Sequence, residues 1–426
     1  MRQISPGRPP QAPATPSPRV FGATRKTQTI LATMAGASDE NLREIGNVLH
    51  DPADPVMPYR LYYSAFAGAY ANDQTTLGNT YLHLLYSLDG RTWTRYGRVT
   101  SVTNGIEDPY VLIEGGLYYM FVEDKSEVPF RRIGRYTSPD GLTWTYTGPV
   151  GLALGASGAW DSGDVSSPTL LRDSDGSWLM LYEGRNMGAS QYGAIGLARS
   201  TDRGLTWTKL NGGAPVVIPN AAAYSGVGAP TIGWLGEVVP DDLLCAGGVY
   251  YLLAHGQAPA RNAYLPALLV STDLITWTDP LGREVINDET NRAPSETMMF
   301  ADRDAQSVIY TSGVTRSSGN GQPNLSRALT VTGGQGRVLE VAFSADGEAR
   351  WLLAPYERLT VVGVLADGTG GVGNLRRRAV GAADSTLTDL GSVYPLYLDG
   401  GATGAVLVLS AAGVSGGLLA ARVLTS

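Results

Sequence analysis

The chain has 426 residues, with 54 Gly, 22 Tyr, 17% charged residues and a net charge of -7. That is room for one large domain and a small one, and a Gly- and Tyr-rich, charge-poor chain reads as turn-rich and all-β. The acidic balance excludes a nucleic-acid groove or an anionic membrane surface as the main partner, the single Cys245 excludes an internal disulfide framework, and no apolar run reaches transmembrane length.

Residues 1–20 are Pro-rich, with scattered Arg and Ser. They have too little apolar surface to fold alone, and read either as a disordered tail or as an extended arm that docks on a partner. No apolar segment follows Met1, so no ordinary signal peptide is expected, and a cytoplasmic or virion-associated location is. Residues 27–33 suggest an early strand that joins the last blade of a closed ring, and residues 38–42 a weak helical turn.

One short turn then recurs. It reads SLDGRTW at 87–93, SPDGLTW at 138–144, STDRGLTW at 200–207 and STDLITW at 271–277, with a worn copy, SADGEARW, at 344–351. The Asp carboxylate accepts from the N–H groups that follow it, Gly supplies a positive φ, and the Trp begins a strand with a large ring to bury. Steps of roughly 50 to 75 residues from Trp to Trp fit four-stranded blades. Residues 21–354 are therefore expected to form a five-bladed β-propeller. The short apolar runs read as buried strands: 47–50 and 60–64, 109–113 and 117–121, 168–171 and 178–182, 230–232 and 249–253, 294–298 and 307–310. From 355 the turn disappears and Gly, Ala, Val and Leu dominate. Residues 355–426 are expected to form a small β-sandwich-like C-terminal domain. Its weakly charged strand edges call for cover by the propeller or by other copies of the chain.

In a blade, the start of the inner strand and the loop after the second strand share one rim. The Asp–Gly turns belong at the other end and read as structural. The rim carries Glu107, Asp108, Trp160, Asp161 and Asp164 before inner strands, and Glu123, Asp124, Lys125, Glu183, Arg185 and His255 after second strands, with Glu296 and Arg316 further on. Carboxylates converging from different blades suit glycoside hydrolysis, where one group stays protonated as acid and another acts as base or nucleophile. Asp108 opens a very apolar strand and precedes Pro109, so it is held rigidly. Glu183 ends the apolar run 178–182, which suggests partial burial and a raised pKa. Glu107, Glu123, Trp160, Arg185 and His255 are candidates for binding substrate, with Trp160 stacking on a sugar face and Arg185 anchoring hydroxyls or acidic groups. His50, His83 and His255 lack metal-ligand spacing, so neither a catalytic metal nor a cofactor is expected, a structural calcium ion aside.

Asp108-Pro109, the following Gly116-Leu117-Tyr118-Tyr119-Met120 and the recurring strand and turn pattern resemble the five-bladed propeller glycoside hydrolases of families 43 and 32, over roughly residues 45–352. The resemblance implies a funnel-shaped glycan site with three acids: a base or nucleophile from blade one, a second Asp that tunes or stabilises, and a Glu acid. Asp108 matches the second. Glu183 is the positional candidate for the acid. For the first, His50-Asp51-Pro52 matches by motif and points to Asp51, whereas strand phase points near Glu44. The copy at 200–207 also resembles the Asp-box of sialidases, which use six blades and an arginine triad; no clear triad is present here. The expected function is hydrolysis of a polysaccharide or oligosaccharide. The alternative is a non-catalytic glycan-binding or structural propeller in a larger assembly, such as a phage tail or capsid appendage, associating through residues 1–20 and 355–426.

Overall fold

Strands make up almost everything in the computed structural model. It describes residues 36–279, apart from 69–77, 89, 91, 126–130, 187–189, 222–223, 225–226, 247–248 and 259–262, and strand backbones between 22 and 31 and between 294 and 425. A short 3-10 turn, Asn211–Gly213, interrupts the strands.

After β1 (Gly22–Ala23) and β2 (Gln28–Leu31), blade I comprises β3 (Asn41–His50), β4 (Tyr59–Phe66), β5 (Tyr81–Ser87) and β6 (Thr94–Arg98). Blade II comprises β7 (Ile106–Glu114), β8 (Leu117–Asp124), β9 (Arg132–Ser138) and β10 (Thr145–Pro149). Blade III comprises β11 (Asp164–Arg172), β12 (Trp178–Asn186), β13 (Ser190–Ser200) and β14 (Thr208–Lys209). A parallel pair, β15 (Ile218–Pro219) and β16 (Thr231–Ile232), leads to blade IV: β17 (Val239–Ala246), β18 (Val249–Ala258) and β19 (Ala263–Ser271), with Thr278 bridging Val270 on its outer edge. A further sheet has the order β2, β22 (Gly321–Val331), β21 (Gln306–Val314), β20 (Pro294–Arg303). The remaining strands are β23 (Val338–Phe343), β24 (Gly347–Leu353), β25 (Arg358–Asp367), β26 (Val372–Ala379), β27 (Thr388–Asp389), β28 (Leu396–Asp399), β29 (Ala405–Ala412) and β30 (Leu418–Thr425). They form two sheets, β1–β24–β29–β26–β27 and β23–β30–β25–β28.

The fold is all-β and propeller-like, with four blades between 41 and 279 rather than the five implied by the turn count. The worn fifth turn is the reason. Trp351 lies on β24, opposite Gly22 of β1 and Leu407 of β29, in a sheet outside the four blades. The turn's chemistry is local and does not say which sheet its Trp will join. Two smaller expectations also change. The segment at 38–42 makes no helical turn, since β3 already begins at Asn41, and 231–232 pair in parallel with 218–219 while β17 supplies the inner strand of blade IV.

The first strand of each blade lies innermost, with β3, β7, β11 and β17 in contact in that order. The turns lie at the far end. In blade II, Ser138 Oγ accepts from the amides of Asp140 (3.2 Å) and Gly141 (2.8 Å), and Asp140 Oδ1 accepts from those of Leu142 (2.8 Å) and Thr143 (2.7 Å). The Trp that follows packs on the preceding blade. Trp144 meets Tyr62 edge-on at 5.8 Å, and Trp207 meets Phe121 at 6.1 Å. Such pairs add about 0.5–1.5 kcal/mol each beyond burial. Preceding blades also bond to the turn carbonyls: Arg60 Nη1 donates to Asp140 O at 2.5 Å, and Arg135 Nε to Arg203 O at 3.1 Å.

Candidate active site

Every inner strand breaks register at one height. Asp108 and Pro109 lie between the pairs Glu107–Glu123 and Tyr110–Phe121, Ser167 and Pro168 between Ser166–Glu183 and Thr169–Leu181, and Gly46 and Asn47 between Ile45–Tyr63 and Val48–Leu61. In blade IV the extra residue falls between Pro240–Ala254 and Asp242–Leu253. A proline has no N–H to place in a ladder, so a bulge tolerates it. The bulges re-aim side chains and let backbones approach. A Cβ built on Gly46 would lie 1.9 Å from the Pro109 carbonyl oxygen, and the Asn47 amide bonds both backbone groups of Val111, at 2.9 and 2.7 Å. In this register Tyr63, Glu123, Glu183 and His255 take one equivalent position on the four second strands.

Asp108 is the centre. Its backbone is left-handed, with φ of 46°. Its amide donates to Glu44 Oε2 at 3.2 Å, and its Oδ2 accepts from Ser167 Oγ at 2.6 Å. Asp108 is half-buried, whereas Glu44, Glu107, Glu123, Asp164, Glu183 and Glu237 are each at most 6% exposed. Burial pushes the Asp108 carboxyl up to about 7, helped by the charges of Glu123 and Glu107 and opposed by hydrogen bonds with Glu44 and Ser167. Burial also raises Glu44 well above the usual carboxylate range, against the pull of Arg43.

Around this pair runs a chain of ion pairs in which buried acids meet Lys125 and half-buried arginines. Arg43 bridges Glu44 Oε1 (3.1 Å) and Glu107 Oε2 (3.4 Å). Lys125 pairs with Glu107 and lies 3.7 Å from Glu123 Oε1, which Arg131 meets at 3.1 Å. The Arg131 amide donates to Asp164 Oδ1 at 2.8 Å, and among the described residues Oδ2 of that buried carboxylate meets no hydrogen-bond donor. Arg185 holds Glu183 Oε1 (2.7 Å) and Glu237 Oε1 (2.8 Å), and Ser166 Oγ donates to Glu183 Oε2 at 3.1 Å. Burial raises both Asp164 and Glu183, with Arg131 and Arg185 opposing it. Beyond Asp108 along β7, Tyr110 and Asp242 join the second and fourth blades, and His255 Nδ1 meets Asp241 Oδ1 at 2.6 Å.

The structure thus gathers Glu107, Asp108, Glu123, Glu183 and Arg185, with His255 at the matching place in blade IV. Trp160 lies beside them: its half-buried ring covers Gly184, where a Cβ would come within 2.4 Å of it, and its Nε1 donates to Gly213 O at 2.9 Å. Asp51 is not brought there. It follows the far end of β3, roughly 30 Å of extended chain from Asn41, where it accepts from the Ala53 amide and the Tyr118 hydroxyl. Glu44, the residue indicated by strand phase, is the blade-one carboxyl of the cluster. Asp161 turns to Lys209 (2.5 Å) and Tyr182 (3.0 Å), and Asp124 to Tyr146 (2.6 Å). The side chains of Glu296 and Arg316, and the segment 1–20, lie outside the described residues. Sequence reasoning missed Arg43, Arg131, Ser167, Glu237, Tyr110 and Asp242. Ser167-Pro168 repeats Asp108-Pro109 and could have been found that way. Among the described residues no three His, Cys, Asp or Glu side chains are gathered as a metal site.

No protein-family model matches the chain. No curated protein matches it either. Solved structures do. A glycoside hydrolase matches at 16% identity and a TM-score of 0.52, covering 72% of this chain and 92% of that one. A glycosyl hydrolase from Bacteroides ovatus matches at 14% and 0.52, covering 74% and 94%. At these identities the likeness is one of fold: the chain has the propeller architecture found in glycoside hydrolases.

Proposed function

We propose that the chain is a glycan-active propeller that hydrolyses a glycosidic bond, with Asp108 as proton donor to the leaving oxygen. The observation that carries this reading is the state of Asp108. Of the acidic residues in the cluster it alone is half-buried rather than buried, and burial that pushes its carboxyl up to about 7 keeps a proton available where cleavage needs one. Glu183 is the partner carboxylate. The adjacent hydroxyls of Ser166 and Ser167 anchor Glu183 and Asp108 respectively. Glu123 and Glu183, each facing an arginine, supply negative potential for the positive charge that develops on the sugar ring. Trp160 offers a ring face, and Arg185 and His255 offer donors, to a polyhydroxylated substrate.

The same proposal includes a fifth blade, the sheet β2–β22–β21–β20. Contact of β20 with both β17 and β3 supports it. The mutual pairing of the strands from Val338 onward supports a separate C-terminal β-domain. Association through residues 1–20 and 355–426, among copies of the chain or within a virion, is tested by light scattering of the full chain and of one lacking residues 1–20.

The test of activity is reducing-sugar release from a broad polysaccharide panel by the wild type and by Asp108→Asn. Release that the substitution abolishes, in a protein that still denatures cooperatively, is expected. Undiminished release from Asp108→Asn would remove Asp108 from the mechanism. A folded wild type that releases nothing would be a glycan-binding or structural propeller.

A further inference from the structure

Five non-glycine residues among those described hold a left-handed backbone. Arg203, Asn211 and Leu274 lie in turns, where such a conformation is ordinary. The other two, Asp108 (φ 46°) and Ser167 (φ 47°), lie inside inner strands of neighbouring blades, and their side chains bond to each other at 2.6 Å. A left-handed conformation is costly for either residue type. Glycine would adopt it freely.

We propose that Ser167 is a positioning residue of the candidate site, retained in a strained backbone because its hydroxyl fixes the Asp108 carboxyl. This rests on the reading of Asp108 as proton donor. The Asp108 residue is held from both sides: Glu44 of blade I takes its amide, and Ser167 of blade III, 3% exposed, takes its Oδ2. The charges of Glu123 and Glu107 push the carboxyl up, while hydrogen bonds with Glu44 and Ser167 pull it down. The Ser167 hydroxyl is thus a neutral donor that favours the ionised carboxylate among like charges, and it orients the group without neutralising it.

The experiment compares Ser167→Gly and Ser167→Ala with the wild type. Ser167→Gly relieves the strain and deletes the hydroxyl; Ser167→Ala deletes the hydroxyl and keeps the strain. Ser167→Gly is expected to denature at the same or a higher midpoint and Ser167→Ala at a lower one. Both should lose kcat at least tenfold on a hydrolysed glycan, with KM within twofold. In both, the Asp108 titration, followed by carbon NMR of the carboxyl, should move to higher pH because a donor to the ionised form is gone. A Ser167→Gly protein that keeps its kcat and an unmoved Asp108 titration overturns the proposal, as does one whose midpoint falls. If the wild type cleaves no glycan, the hydrolase reading fails, and the Asp108 titration and the midpoints decide this one without it.

Discussion

The hydroxyl of Tyr110 in blade II lies 2.8 Å from Asp242 Oδ1 in blade IV, so two blades that are not neighbours are joined near the axis. Both residues are buried. Burial and the Asp242 charge raise the phenol well above its ordinary value, so it remains a donor throughout the working range. Tyr110→Phe keeps the ring and removes that donor from a carboxylate. Stability should fall by about 1.5–3 kcal/mol. A urea midpoint that does not move would show that the bond ties nothing together.

The carboxyls of the cluster set a pH dependence of one sign. Asp108 rises from an ordinary 3.8 to about 7 on folding. Its contribution to stability is full below the unfolded value and is lost as pH rises through the folded one. Glu44, Asp164 and Glu183 are raised by burial too and share that sign. The fold should be more stable near pH 5 than at about pH 7.5, and Asp108→Asn should flatten part of the slope. Hydrolysis should decline above about pH 7 as the donor loses its proton. A rate that climbs through that range would make Asp108 a base instead.

Arg185 is the shared counter-ion of Glu183 and Glu237. Its replacement by Met leaves two nearly dry carboxylates facing each other. Such a change should cost about 3–5 kcal/mol at neutral pH. Adding Glu183→Gln should recover part of that loss, and denaturation of the single and double variants decides it.

Gly46→Ala drives a methyl into backbone, since the Pro109 carbonyl oxygen lies 1.9 Å from the new atom. No side chain can swing aside. The expected loss is about 2–3 kcal/mol, together with a displaced Asp108 and reduced turnover. Gly228→Ala, where the same atom meets nothing within 4 Å, is the control and should leave both quantities unchanged.

Much of this architecture is legible in the sequence, because Asp–Gly turns and Tyr-rich runs are local signals. Glu107, Asp108, Glu123 and Glu183 could be placed on one rim by noting where apolar runs begin and end. The readings that changed depended on what a local pattern cannot carry. Asp51 has the right dipeptide at the wrong end of a ten-residue strand. The turn at 344–351 has the right chemistry in the wrong sheet. Ser167 looks ordinary until a bulge and a positive φ turn it toward Asp108. Arg131 and Glu237 reach the cluster from connecting segments whose course only the folded chain determines.

The pairing of β2 with β22 has a bearing on biosynthesis. Gln28 lies opposite Arg327, so the first strand of this sheet leaves the ribosome about 300 residues before its partner. At 5–20 residues per second the interval is roughly 15–60 s. Throughout it, blades I to IV can assemble while β2 remains an unpaired edge among crowded nascent chains. A chaperone that shields short extended segments would act on this chain late, and the yield of native protein should depend on how quickly that final seam is sewn.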